Sequence, residues 1–152
     1  MEIRVDDLTH PAVHALLQEH LGDMHALSPR ESVHALDLDR LRDPSITFWT
    51  AWDGDTLLGC GALKALNATH GEIKSMRTPR ALRRRGAGRA ILEHILAEAR
   101  ARGYARVSLE TGSLDAFVPA QRLYEAAGFT PCGPFGEYKP DRHSVFMTRV
   151  LG

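Results

Sequence analysis

The apolar positions follow two different periods along the chain, and the changes between them mark out its elements. Glu2 to Val5 alternates and predicts a short strand. Ala12, Leu16, Leu17 and Leu21 then recur near helical spacing, with Thr9 placed as a cap and Pro11 in the first turn, so a first helix is predicted to about Met24. Ser28 to Ser32 breaks it. Leu36, Leu38 and Leu41 predict a second, short helix that stops before Pro44. Ile46 to Trp52 is β-branched and aromatic, Asp53-Gly54-Asp55 is a turn, and Thr56 to Leu66 returns, which together predict a hairpin. Gly59 and Gly61 inside that return strand signal close backbone packing or a bulge. His70 to Thr78 reads as a third strand of the same set.

The clearest helical stripe is Ile91, Leu92, Ile95, Leu96 and Ala99, stopped by Gly103. Ala105 to Thr111 is the next strand, with Val107, Leu109 and Thr111 on one face. Pro119 to Ala127 reads as a helix ended by Gly128, and the tail from Pro131 to Leu151 as two strands around a Pro/Gly/Asp loop. No repeat, linker or low-complexity segment interrupts the order. Strand, loop, helix and strand around residues 70–111 make a βαβ unit inside a mixed sheet.

Composition narrows the classes. The chain has 152 residues, 43% hydrophobic and 25% charged, enough for one domain with a core. Lys plus Arg and Asp plus Glu both number 19, so the net charge is zero, whereas a nucleic-acid or anionic-membrane binder usually carries a basic excess. The positive charge is local: Arg77, Arg80, Arg83, Arg84, Arg85 and Arg89 cluster in one stretch, which suits a small anionic ligand. Two cysteines make no disulfide framework, the start lacks the basic and apolar regions of a signal peptide, and no apolar run approaches the roughly 20 residues of a membrane span. These features favour a cytoplasmic protein with no membrane partner.

The arginines surround Arg83-x-x-Gly86-x-Gly88, which leads straight into the stripe helix. Glycines let the backbone turn and approach a ligand, and the first amides of a helix have no internal partners. A strand, a glycine loop and a helix start therefore make an anion site of backbone N–H groups, reinforced by guanidiniums. The phosphate-loop pattern with its Gly-Lys-Ser/Thr is absent, and the dinucleotide fingerprint fails because Ile91 stands where a third glycine belongs. Alone, the pattern also fits a solvated basic loop.

Downstream, Ala120, Leu123, Tyr124, Gly128 and Phe129 spell A-x-x-L-Y-x-x-x-G-F, and Met76 to Thr78 spell M-R-T before the loop. In these paired motifs the chain resembles the GCN5-related N-acetyltransferase (GNAT) family, best over Gly71 to Phe129. The resemblance implies one α/β (α+β) domain over residues 1–152. Its sheet would be mixed, mostly antiparallel and twisted, with six to seven strands and about four helices, splayed between the fourth and fifth strands. It also implies acetyl-coenzyme A as cosubstrate. The pyrophosphate would rest on the amides of Arg84, Arg85, Gly86, Ala87, Gly88 and Arg89, with Arg83 where the family holds Gln or Arg. One of Arg80, Arg84, Arg85 and Arg89 would meet the 3′-phosphate. The pantetheine arm would pair with Met76, Arg77 and Thr78. Phe117 occupies the position of an asparagine that bonds the arm in many members, Thr78 replaces a commoner valine, and Pro79 falls one residue early.

The reaction so implied is direct attack of an amine on the thioester in a ternary complex. Tyr124 matches the family's general acid and the Met76 N–H its oxyanion donor, while Glu72 is the first candidate base, with Glu110 or a water chain in reserve. Glu72 also suits a partner for Lys74, and Tyr124 a packed core tyrosine. The segments expected around the acceptor supply His25, Ser28, Arg30, Ser32 and His34, then Glu110, Thr111 and Ser113, and finally Phe135, Tyr138 and Arg142. A small primary amine carrying a carboxylate would suit Arg30 and Lys74, and E-I-K-S-M-R-T with S-L-E-T-G-S is similar to bacterial small-molecule acetyltransferases. The alternatives are a coenzyme-binding scaffold without turnover, or an acetyltransferase of protein lysines or N-termini. His10 and His14 lie four apart, but no Cys/His ligand set supports a metal, and Cys60, mid-strand, reads as a buried thiol. His143 to Leu151 is apolar enough for a homodimer through the C-terminal strands.

Overall fold

The computed structural model describes residues 1–27, 38–79, 82 and 86–151. Among them seven strands form one sheet in the order β1-β2-β3-β4-β5-β7-β6. The strands are β1 (Glu2–Val5), β2 (Ile46–Asp53), β3 (Thr56–Ala65), β4 (His70–Arg77), β5 (Arg106–Gly112), β6 (Thr130–Cys132) and β7 (Ser144–Val150). Every neighbouring pair is antiparallel except β4 and β5. The described helices are α1 (Pro11–Leu27), α2 (Leu38–Leu41), α3 (Ala87–Ala101) and α4 (Val118–Ala126). β7 pairs on both edges, so the free edge at this end of the sheet is the three-residue β6, and an edge-to-edge dimer there has to use it.

Strand alternation builds a core on each face. Trp49, Leu63, Ile73, Val107, Leu109 and Met147 pack against the α3 stripe. Within that stripe Ile91, Leu92 and Ile95 are fully buried, each contributing about 1.5–3 kcal/mol. On the opposite face Phe48, Trp52, Cys60 and Ala62 meet Val13, Leu16, Leu17 and Leu41 of α1 and α2. The close packing signalled by Gly61 is real: a Cβ there would stand 2.6 Å from Met76 Sδ and 2.9 Å from Ile91 Cγ2.

Two local expectations change. Thr9 does not cap α1; its hydroxyl donates to Asp7 Oδ1 at 2.6 Å, and His10 caps instead, with Nδ1 accepting from the Ala12 N–H at 3.0 Å. The nearby Asp7 carboxylate outcompetes the helix end for the Thr9 hydroxyl. The first helix also runs on to Leu27, past Met24. The Ser28 to Ser32 break and Leu36 fall outside the described residues.

The sheet divides in its middle. β4 pairs with β3 through Ala62↔Lys74 and then Cys60↔Arg77, so β4 carries one extra residue, and Ser75 takes a φ of 55° there. Such a bulge bends its strand and adds twist. The register between β4 and β5 ends at Ile73↔Leu109, whereas β5 follows β7 onward to Gly112↔Ser144. Lys74–Arg77 and Glu110–Gly112 therefore part, opening the predicted splay between the fourth and fifth strands.

Candidate active site

The splay runs from the start of α3 at one end to a buried polar cluster at the other. At the α3 end Gly86 is the N-cap with φ 81°, and among the described residues no side chain caps the helix. Gly88 has room above it, with Leu123 at 3.6 Å and Thr78 at 3.9 Å from a Cβ placed there. An open helix start with a left-handed glycine fits a phosphate group, which Ala87, Gly88 and Arg89 can meet with main-chain N–H groups. Arg80, Arg83, Arg84 and Arg85 lie outside the described residues. The exposed Arg89 guanidinium bonds Glu93 at 3.1 Å on the next turn of α3.

Along the gap, Arg77 makes an ion pair with α1. Its guanidinium donates to Glu19 Oε1 on α1 at 2.6 Å, with its side chain only 10% exposed. The opposite wall ends in Gly112, where a Cβ would stand 2.1 Å from the Phe117 ring. Phe117 is therefore pressed onto the backbone at the end of β5. The Gln121 side chain, which sequence reasoning passed over, donates to the Gly112 carbonyl at 2.8 Å. A polar amide thus stands near the place where Phe117 lacks one.

Tyr124 projects from α4 onto the α3 side of the sheet, 7% exposed and edge-on to Phe129 at 5.9 Å. Burial, aided by the Glu110 charge, holds its phenol well above the ordinary range. Among the described residues no protein group is hydrogen-bonded to its hydroxyl. Cys60 is fully buried, its Sγ 3.3 Å from the Ser75 carbonyl, and burial pushes its thiol to about 12, which makes it an inert core residue.

The other face of β4, β5 and β7 carries the polar cluster. Glu72 is 3% exposed, and its Oε2 accepts from Lys74 Nζ at 3.0 Å and from the Tyr138 hydroxyl at 2.6 Å. Lys74 also donates to the Tyr138 oxygen at 2.9 Å, which closes a triangle of three side chains. Glu110, on the neighbouring strand, accepts from the Ser144 hydroxyl at 2.8 Å. Burial pushes its carboxyl up to about 7, offset in part by Ser144 and Lys74. Deeper along the same face His70 bonds Ser108 at 2.7 Å, and Ser108 bonds Thr148 at 2.8 Å.

The 133–143 loop covers this face with Phe135 and Tyr138, whose ring centroids lie 5.2 Å apart, and both meet Phe146 of β7. Ser113 Oγ donates to the Arg142 carbonyl at 2.8 Å, tying the loop to the end of β5. Of the expected acceptor-side residues, the structure brings together Glu110, Ser113, Phe135, Tyr138 and the Arg142 backbone, whereas Thr111, opposite Val145, lies on the α3 face. Ser28, Arg30, Ser32, His34 and the His25 side chain lie outside the description. Among the described residues no three His, Cys, Asp or Glu side chains group as a metal site. No described helix is long and apolar enough to cross a membrane.

Residues 13–129 match the model of the acetyltransferase (GNAT) family. The chain belongs to the GNAT acetyltransferase family. It is 56% identical over 99% of its length to all of the uncharacterized N-acetyltransferase YsnE of Bacillus subtilis. It is 42% identical, over 89% of its length and 86% of the relative's, to the IAA acetyltransferase of Azospirillum brasilense. A solved structure from Klebsiella pneumoniae, provisionally described as an acyl-CoA N-acyltransferase, superposes with a TM-score of 0.83 at 26% identity, covering 99% and 97% of the two chains. This GNAT protein is thus an acetyl-coenzyme A-dependent N-acetyltransferase.

Proposed function

We propose that this acetyltransferase moves the acetyl group from acetyl-coenzyme A directly onto the primary amine of a small molecule, in a ternary complex, within one domain over residues 1–152. The observation that carries the reading is the pair of groups flanking the splay: Tyr124, a buried phenol with no hydrogen-bond partner among the described residues, on one face and a carboxyl poised near neutrality, Glu110, on the other.

The coenzyme supplies a thioester whose carbonyl carbon accepts the amine. In our reading the phosphates lie against the start of α3, at Arg83, Arg84, Arg85, Gly86, Ala87, Gly88 and Arg89. The arm follows the backbone of Met76, Arg77 and Thr78, with Phe117 across the gap. The Met76 N–H faces charge growing on the carbonyl oxygen. Tyr124, whose proton is held tightly by burial, gives it up to the leaving sulfur.

Glu72 headed the candidate bases from sequence. What supports Glu110 instead is protonation behaviour. Glu72 already holds a buried ammonium and a phenol hydroxyl, so taking a proton would strand Lys74. Glu110 has an affinity for protons matched to neutral pH, which suits a general base. Glu72 is then the residue that fixes Lys74 and Tyr138. The aromatic cover of Phe135 and Tyr138 favours an acceptor with a flat apolar body beside its amine.

The test is thiol release from acetyl-coenzyme A with a panel of primary amines, each product checked by mass spectrometry. We expect N-acetylated small amines and intersecting initial-velocity lines. Parallel lines would contradict the ternary complex, and peptides acetylated in preference to every small amine would contradict the acceptor class.

A further inference from the structure

The 133–143 loop connects β6 to β7 and crosses the polar face of the sheet. Gly133, Pro134, Gly136, Glu137, Lys139 and Pro140 are exposed, while Phe135 and Tyr138 turn inward. Phe135 meets the His70 ring at 5.8 Å and Phe146 at 5.9 Å. At the β7 end the Ser144 N–H bonds the Asp141 carbonyl at 3.0 Å and the Ser113 N–H bonds the His143 carbonyl at 3.1 Å. Between these holds, Tyr138 places its hydroxyl into the Glu72–Lys74 ion pair, giving one hydrogen bond and accepting another. A buried phenol usually finds one hydrogen-bond partner. This one spends both its donor and an acceptor site on a charge pair whose side chains are 4% and 9% exposed.

The same loop packs beside Glu110: Phe146, its partner across β5 and β7, meets both Phe135 and Tyr138. Among the described residues, the groups acting on that carboxyl by hydrogen bond or charge include the Ser144 hydroxyl from β7, Lys74 and Glu72 from β4, Asp141 and Tyr138 from the loop, and, from the other face, Tyr124 of α4. The loop brings the Asp141 negative charge near that carboxyl. The bonds between Tyr138 and the pair fasten it there.

Resting on the reading of Glu110 as the base, we infer that Tyr138 is a positioning residue for the proton transfer: its hydroxyl latches the 133–143 loop onto the Glu72–Lys74 pair and thereby keeps the Glu110 carboxyl out of water. Opening the loop exposes the ionised carboxylate to solvent, which favours the charged form, so the titration of Glu110 moves down. A purely packing role for Tyr138 predicts no such movement when the ring is retained.

The experiment follows Glu110 itself and needs no acceptor. The full chain is labelled with glutamate carrying 13C at the carboxyl carbon, and the Glu110 signal is assigned by its loss in Glu110→Gln. Its chemical shift is then followed from pH 4 to pH 9 in the wild type, Tyr138→Phe and Tyr138→Ala, with circular dichroism confirming that each is folded. We expect a wild-type midpoint near 7. We expect Tyr138→Phe to lower it by about one pH unit and Tyr138→Ala to take it towards the ordinary glutamate value near 4.5. A wild-type midpoint near 7 that stays unmoved in folded Tyr138→Phe and Tyr138→Ala overturns the latch and leaves Glu110 as the base. A wild-type midpoint at the ordinary value overturns the assignment of Glu110 and the latch with it. Should Tyr138→Ala not fold, Tyr138→Phe, which keeps the ring on Phe135 and Phe146, decides alone.

Discussion

Replacing Glu72 by glutamine separates its structural part from any catalytic one. The carboxylate and the Lys74 ammonium are 3.0 Å apart, with side chains 4% and 9% exposed. At an effective dielectric constant of about 20, two unit charges at that distance attract by roughly 5 kcal/mol, a gross figure set against their desolvation. Removing one partner of a buried pair costs about 3–5 kcal/mol, because the other charge stays buried. Glutamine still offers a carbonyl to the Tyr138 hydroxyl, so shape and one hydrogen bond survive. Glu72→Gln is therefore expected to lower the unfolding free energy by about 3 kcal/mol, towards the low end of that range. Lys74→Met should cost a similar amount, and the double variant much less than the sum, since neither charge is then stranded. Equilibrium urea unfolding at pH 7 measures all four corners of the cycle, and repeating it at high salt tests screening, which a buried pair resists. Single losses below about 1 kcal/mol that vanish in salt, as for a surface ion pair, would refute the reasoning. In rate assays Glu72→Gln should keep the acid limb of the pH profile if Glu110 is the base.

Glu110→Gln should lower the rate of transfer by about 10²-fold or more and abolish an acid limb centred near pH 7, read from kcat/KM against pH. It should also change stability with a definite sign. The folded carboxyl binds its proton more tightly than the unfolded one, so the wild type loses stability as pH rises from about 4.5 through 7. Glu110→Gln should therefore gain on it by up to about 3 kcal/mol at pH 8 relative to pH 4, as checked by unfolding at both pH values. Tyr124→Phe should cut turnover by about 10²-fold while shifting stability by less than about 0.5 kcal/mol, because its hydroxyl has no described protein partner to lose. Gly61→Ala forces a Cβ against Met76 and Ile91 and should cost about 1–3 kcal/mol by urea unfolding, with KM for acetyl-coenzyme A raised as the Met76 segment shifts.

The elements were legible because their signals are local. The α3 stripe, the hairpin around Gly54 and the C-terminal pair of strands each follow from periodicity and turn residues, and Gly61 announced its own crowding. The fate of Thr9 depended on which of two oxygens its hydroxyl would choose, which spacing does not encode. The division of the sheet was expected only through the family resemblance. Its physical origin, an extra residue at Ser75 on a positive φ, leaves no mark in the pattern of apolar positions. In the site, Tyr124 and Glu72 were visible in their motifs. The preference we propose for Glu110 over Glu72 was not, because it depends on Lys74 and Tyr138 meeting across 64 residues of chain. A tyrosine and a phenylalanine in an otherwise polar Pro/Gly loop were the one available hint that the 133–143 segment folds inward.

The central claim, that the open start of α3 and the splay beside it hold acetyl-coenzyme A, is tested most directly by thermal unfolding with and without the coenzyme in the wild type and Gly86→Asp. Aspartate is a good helix N-cap, tolerates a positive φ better than most residues, and suits the positive end of α3, so the variant should fold. Its carboxylate would stand in the anion site. At 100 times its dissociation constant the coenzyme should stabilise the wild type by about 2.7 kcal/mol and leave Gly86→Asp unmoved. Equal stabilisation of both proteins, or of neither, would contradict the account.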